Sequence, residues 1–315
     1  MIKVENLTKA FGPKVAVNDV SFTVQRGEVL GFLGPNGAGK STTMRMVTGF
    51  LPPTAGRVTI GTHDMLEDPV PAKRLIGYLP ESAPCYSDMT VHGFLSFAAE
   101  IRGLRGDAIK TAVHRAVEMC FLENVLHQSV DTLSKGYRHR TCFAQSIIHD
   151  PEILVMDEPT DGLDPNQKHE IRQLIKRMGE KKAIIFSTHI LEEVEAVCSR
   201  AIIIDRGTVV ANGTPTELKR KAPNAGCVLL RVNTATAEAV TGKLRGLAGA
   251  ERVQLVKEDR GVVTVRMVPK AGVNGELSVA VGEAAQGLRI EELRVEEGKL
   301  DEYFRSITAS DTAKK

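Results

Sequence analysis

One eight-residue stretch constrains this chain more than any other: Gly34-Pro35-Asn36-Gly37-Ala38-Gly39-Lys40-Ser41. It has the spacing GxxxxGK[ST], in which glycines let backbone N–H groups converge on phosphate oxygens. The apolar run at 29–33 reads as a buried strand entering the loop. From Lys40 to about Thr48 the pattern reads as a helix, ended by Gly49 and Pro52. Such a helix N-terminus adds a favourable dipole toward an anion. Lys40 is expected to reach the β- and γ-phosphates of a nucleotide, Ser41 to ligate magnesium, and Thr42 to contact the α- or β-phosphate. The plain alternative is a Gly-rich turn that merely enters a helix, and the preceding strand weighs against it.

Further apolar runs alternate with helical patterns. Strand character is seen at 2–7, 20–24, 57–60, 75–79, 153–156, 183–186 and 201–204. Helical patterns run from 91 to about 127, with breaks near 103–107, and over 138–149, where Pro151 stops them. Strands separated by helices indicate βαβ units and a parallel sheet, an α/β fold. Composition shifts after Leu218, and 219–226 is basic and then turn-like, as in a linker. Beyond it the order is strand 227–232, helix 235–246, strands 251–257 and 261–267, helix 272–285 and strand 288–295. This β-α-β-β-α-β order is that of a small ferredoxin-like α+β domain. A last helix near 299–307 carries Leu300, Tyr303, Phe304 and Ile307 on one face, before a tail at 309–315. The domains are therefore expected at 1–218, with a helical subdomain at about 81–150, and at 227–308.

The apolar strand Ile153-Leu154-Val155-Met156 ends in two acids, Asp157 and Glu158. Side chains alternate along a strand, so the two carboxylates point different ways. That separates two tasks: one can hold magnesium through water, and the other can polarise an attacking water. The reading places Lys40 and Asp157 on neighbouring parallel strands. A solvated strand end before the Pro159 turn is the plain alternative.

Composition mainly excludes. Lys and Arg number 41 against 39 Asp and Glu, a net charge of +2, which leaves no strong footprint for nucleic acid or anionic lipid. No apolar run approaches the roughly 18 residues that cross a bilayer. The opening MIKVENLTKA lacks a signal-peptide core. Action at a membrane is therefore expected to need docking on another protein. Cys85, Cys120, Cys142, Cys198 and Cys227 are scattered, which suits reduced thiols in the cytosol and neither a disulfide framework nor a zinc site. Aromatics are 4% and Trp is absent, which argues against a base-stacking platform.

With these residues in place, positions 1–217 resemble the ATP-binding subunits of ABC transporters. Leu133-Ser134-Lys135-Gly136-Tyr137 lies where that family carries its LSGGQ signature. Asp157-Glu158-Pro159-Thr160 is similar to its Walker B end, Asp161-Gly162-Leu163-Asp164 to its D-loop, and Ser187-Thr188-His189 to its switch-histidine segment. Phe11 stands where the family places an aromatic that stacks on adenine, and Glu81, in Gly77-Tyr78-Leu79-Pro80-Glu81, where it has the Q-loop glutamine.

The resemblance implies a P-loop NTPase fold of ABC type with a helical subdomain. It implies ATP and Mg2+ as ligands, and a homodimer in which two copies pair head to tail with ATP sandwiched between the phosphate loop of one and the signature of the other. Glu158 would be the catalytic carboxylate, and His189 would hold the γ-phosphate and the attacking water. Ser134 and the Gly136 N–H would contact the γ-phosphate across the interface, and Asp164 would join the nucleotide-contacting set. Asp157, Ser41 and Glu81 would serve the magnesium, and Glu81 would also join the catalytic set by accepting from water. Three departures stand out: Lys135 where glycine is usual, Tyr137 where glutamine is usual, and Glu81 for glutamine. The GYLPE and LSKGY variants and the final helix resemble exporter subunits of the type-2 drug, polysaccharide or gliding-motility class. The implied partners are separate membrane permeases, gripped by the helical region at about 81–130 and reached from the cytoplasmic face of the inner membrane. No nucleic acid is expected. The alternative is a soluble ABC ATPase with a regulatory C-terminal domain, uncoupled from transport.

Overall fold

The computed structural model describes residues 1–82, 85–233, 236–270 and 276–308. The chain divides into two compact units, Met1–Pro215 and Thr216–Lys315.

The first unit opens with a long hairpin, β1 (Ile2–Phe11) and β2 (Lys14–Val24). These strands outrun the apolar stretches 2–7 and 20–24. Cross-strand pairs such as Lys9↔Val17 and Phe11↔Lys14 continue the ladder beyond those stretches, and Val17 is buried in the core. Next come β3 (Val29–Leu33), α1 (Lys40–Val47), β4 (Ala55–Ile60), the two-residue β5 (His63–Asp64), α2 (Pro69–Arg74) and β6 (Ile76–Leu79). The helices α3 (Val91–Ile101), α4 (Asp107–Cys120) and α5 (Lys135–Ile147) follow. α5 starts earlier than position 138 because Ser134 caps it, accepting from Tyr137 N–H. β7 (Ile153–Asp157), α6 (Pro165–Gly179), β8 (Ala183–Thr188), α7 (Leu191–Val197), β9 (Arg200–Asp205) and β10 (Thr208–Gly213) complete the unit.

Two sheets result. One is antiparallel, in the order β2-β1-β4-β5; the other runs β10-β9-β3-β8-β7-β6, parallel from β9 to β6 with β10 antiparallel. β3, β7 and β8 are buried along their whole length, as parallel strands covered on both faces should be. Alternate side chains divide between two cores. Leu154, Met156, Ile184 and Phe186 join residues of α3, α4, α5 and α6. Ile153, Val155, Ala183 and Ile185 join α1 and the antiparallel sheet.

The expected placement of Lys40 and Asp157 on neighbouring strands is wrong. Val29 of β3 pairs with Ile184 of β8, and Ile184 pairs with Leu154 of β7, so β8 stands between. The chain leaves β7 through α6 and returns one strand over, filling the place beside β3. The strand end bearing Ser187 and His189 therefore lies between the phosphate loop and the acidic pair.

After α8 (Pro215–Arg220), which spans the boundary between the units, the second unit holds β11 (Val228–Asn233), α9 (Ala237–Leu244), β12 (Ala250–Asp259), β13 (Val262–Pro269), α10 (Glu276–Ala284), β14 (Arg289–Val295) and α11 (Leu300–Ile307). Its sheet is wholly antiparallel, in the order β12-β13-β11-β14. With α9 and α10 inserted after the first and third strands, this is ferredoxin-like connectivity. Leu230, Val232, Val263, Val265 and Met267 pack against Val240, Leu244, Leu277 and Val281. The stretch 219–226 holds the end of α8, a turn closed by Ala225 N–H to Ala222 O, and a long-range tie from Gly226 N–H to Glu296 O. α11 buries Leu300 and Tyr303 and half-buries Phe304 and Ile307. The tail 309–315 and the first residues of the helices expected at 235 and 272 fall outside the described residues. Among the described residues no helix is long and apolar enough to cross a membrane.

Candidate active site

β3 delivers the chain into a loop that needs glycine at two points. Gly39, the N-cap of α1, has φ of 108°, and a Cβ there would stand 2.6 Å from Ala16 O. A Cβ on Gly34 would stand 2.4 Å from Ile204 O. No larger residue fits either place. The loop is tied by Ala38 N–H to Pro35 O and by Gly207 N–H to Ala38 O, at 3.2 and 2.9 Å. Lys40 is buried, and its Nζ donates to Gly34 O at 2.8 Å and Pro35 O at 3.2 Å. Burial lowers its pKa, while the carboxylates of Glu158, Asp157 and Glu81 act to raise it. A desolvated cation thus faces three acids across the loop.

The loop opens into a cleft of about 600 Å³, whose walls include Asn36, Gly37, Gly39, Lys40, Ser41, Thr42, Phe11, Glu81 and Glu158. Phe11 is 49% exposed, so it is not a packing residue of the hairpin; Lys9 Nζ stands 5.3 Å from its ring centroid. Gly34, Pro35 and Ala38 shape the loop without lining the cleft.

Asp157 closes β7 and is 1% exposed. Ser187 Oγ donates to its Oδ1, whereas its Oδ2 is buried with no hydrogen-bond partner among the described residues. An orphaned carboxylate oxygen beside a phosphate loop fits magnesium chemistry. No group of three or more His, Cys, Asp or Glu among the described residues could hold a metal ion alone. Magnesium here would instead take Ser41, water and phosphate oxygens, with Asp157 behind them.

Glu158 leaves the strand with φ of 53°, and its N–H donates to Ser187 O at 3.2 Å. The positive φ turns its side chain away from that of Asp157 and toward β8, where Oε2 meets His189 Nδ1 at 3.0 Å. Burial raises the Glu158 pKa against the opposing pull of His189 and Lys40. Asp157 and His189 do not line the cleft themselves; each joins it through Ser187 or Glu158.

The two segments share one buried anchor, which sequence reasoning missed. Glu193 is 1% exposed and accepts from Thr160 Oγ1, from Thr188 Oγ1 at 2.8 Å, and from Arg172 at 3.3 Å. It therefore joins the turn after Glu158 to the residue before His189. An acid in the first turn of a helix ordinarily reads as a solvated, dipole-favoured residue, so the sequence carries no mark of this.

Ser134, Gly136 and Asp164 stand apart from the cleft. Ser134 Oγ accepts from Tyr137 N–H at 3.3 Å. Gly136 is pressed to Gln167, where a Cβ would meet Oε1 at 2.5 Å. Asp164 caps α6, accepting from Gln167 N–H at 2.9 Å in a full capping box. Within one copy the phosphate loop and the signature segment are separate surfaces.

Fold and site together define a P-loop nucleoside triphosphatase. Comparison with known proteins narrows the class. The ABC transporter family model matches residues 17–161, and a model described as an AAA domain, putative AbiEii toxin, type IV TA system, matches residues 129–195. The linearmycin resistance ATP-binding protein LnrL of Bacillus subtilis (strain 168) is 32% identical over 309 residues, 98% of each chain. The Nod factor export ATP-binding protein I of Bradyrhizobium diazoefficiens is 36% identical over 237 residues, 73% of this chain and 75% of that one. The solved structure of an ATP-binding subunit of an ABC transporter superposes with a TM-score of 0.65 at 29% identity, covering 70% of this chain and 92% of its own. The chain belongs to the ABC transporter family, as an ATP-binding subunit with the family's ATPase cassette.

Proposed function

We propose that the protein is the ATP-hydrolysing motor of an exporter, working as a head-to-tail pair on separate membrane permeases. The observation that carries the hydrolytic reading is Glu158, half-buried at the phosphate cleft and held by His189 at 3.0 Å. Glu158 orients a water and accepts its proton as the oxygen adds to the γ-phosphorus; the bond to the β–γ bridging oxygen breaks, and ADP and phosphate leave. His189 holds that carboxylate in place. Lys40 meets the phosphate charge, and Ser41 and Asp157 fit the magnesium site. Magnesium held there would supply positive charge against the phosphate oxygens.

The separation of Ser134 from its own cleft supports pairing, because this exposed residue is then available to a second copy's nucleotide. The resistance and export names of the relatives support an exporter. A second, apolar cleft of about 450 Å³ supports a protein partner. It is lined in part by Phe50, Tyr86, Phe94, Phe97 and Ile101, beside Pro80 and Ser82, which flank Glu81. Phe50, Tyr86 and Ile101 are 73%, 58% and 67% exposed. A short apolar segment of a permease seated there would touch the chain on both sides of Glu81. That contact would tie the protein to the cytoplasmic membrane face.

The test is phosphate release with Mg-ATP. The wild type turns over; Glu158→Gln binds ATP and slows turnover by about 100-fold or more. Normal turnover by the variant refutes the assignment.

A further inference from the structure

The signature departs from the family pattern at Lys135, and the structure gives that lysine a partner. It is the first residue of α5, directly after the cap Ser134. A cation in this place opposes the helix macrodipole, so local structure alone disfavours it. The side chain crosses Gly162, where a Cβ would lie 2.2 Å from Lys135 Cε, and Nζ donates to Asp161 Oδ2 at 3.1 Å. Asp161 N–H in turn donates to Glu158 O at 3.0 Å. The same end of α5 meets this turn at two further points. Gly136 abuts Gln167, the capping partner of Asp164, and His139, with buried ring nitrogens, lies beside Asp161 and Lys135.

We propose that Lys135 is a positioning residue whose ion pair with Asp161 ties the signature end of α5 to the turn that carries Glu158 in the same copy. The inference rests on the head-to-tail reading above. In that arrangement each signature serves the partner's nucleotide, while Glu158 serves its own. The pair then links the two ATP sites through the body of each copy: closure of a signature over one nucleotide shifts the carboxylate at the other. Glycine at position 135 offers no such link. The side chains of Lys135 and Asp161 are 71% and 56% exposed, and exposed pairs contribute little to stability. Removing the pair therefore changes coupling and leaves folding intact.

The test is steady-state ATP hydrolysis by the full chain across ATP concentration, with melting temperature and nucleotide affinity measured alongside. The variants are Lys135→Ala, Asp161→Ala, their double, and the exchange Lys135→Asp with Asp161→Lys. Each single variant lowers kcat by about two- to five-fold and moves the Hill coefficient toward one. Melting temperature and nucleotide affinity stay at the wild-type values. The double variant is no worse than either single, and the exchange recovers most of the loss. Losses that multiply in the double variant, or an exchange variant no better than the singles, overturn the link. Wild-type protein that releases no phosphate at all refutes the motor reading itself, a result told apart from failure of the link by the wild-type control.

Discussion

Glu158 Oε2 and His189 Nδ1 meet at 3.0 Å although they leave different strands. The contact exists because β8 pairs directly with β7 and because Glu158 adopts a positive φ just past the strand end. The carboxylate side chain is 13% exposed and the imidazole 54%, so a half-buried acid is held by a solvent-facing ring. Glu193 fixes both segments from beneath.

With Glu158 in the proposed role of general base, its raised pKa should set the acid side of the pH profile. Water activation needs the carboxylate, so the rate is full above that pKa and falls as pH drops through it. Because burial moves it upward from 4.5, activity is lost at a higher pH than an ordinary glutamate would allow. A kcat/KM profile from about pH 5 to 9 checks this, with a single acid limb above the usual carboxylate range.

The same shift has a stability consequence of opposite sense. A carboxyl whose folded pKa is raised contributes stability at low pH and loses it as pH rises through that value. At neutral pH the ionised Glu158 is therefore a burden on the nucleotide-free protein. Glu158→Gln should melt at a higher temperature than wild type near pH 7, and the difference should shrink as pH falls. A variant that melts lower at neutral pH contradicts the burial account.

Glu193→Ala leaves Arg172, Thr160 and Thr188 without their shared acceptor. Breaking a buried pair in this way costs about 3 kcal/mol. The urea midpoint should fall clearly, and Glu193→Gln, which keeps an acceptor oxygen, should lose less. Turnover should fall in both, since the Glu158 and His189 segments lose their common anchor.

Phe11→Ala tests the rim of the cleft. The ring is half exposed, so stability should change by less than about 0.5 kcal/mol. Loss of a stacking face should weaken nucleotide binding by about 1 kcal/mol, roughly five-fold in KM, with kcat unchanged. An unaltered KM removes Phe11 from the nucleotide set.

Much of this was readable in the residues, for identifiable reasons. The phosphate loop announces itself through glycines that close backbone approach requires, as at Gly34 and Gly39. The runs 153–156 and 183–186 stand out because strands buried on both faces need no polar alternation. Strand order did not follow, because the insertion of β8 between β3 and β7 is a long-range choice that no local pattern encodes. Residues 8–11 of β1 carry no apolar alternation and are held by cross-strand pairing, and in β2 the polar pair Asn18-Asp19 masks Val17, which is fully buried in the core. Lys135 and Asp161 are 26 residues apart, and Glu193 lies 33 residues from Thr160. Contacts at that separation belong to the fold, and a local pattern leaves Lys135 only as an oddity in the signature.

In the proposed pairing two copies close around ATP, with a phosphate loop from one and a signature from the other. Light scattering on purified Glu158→Gln, with and without Mg-ATP, tests it most directly. A monomer should become a dimer only when Mg-ATP is present, and Ser134→Arg should block the change. A mass unaltered by Mg-ATP, in a protein shown to bind the nucleotide, would contradict it.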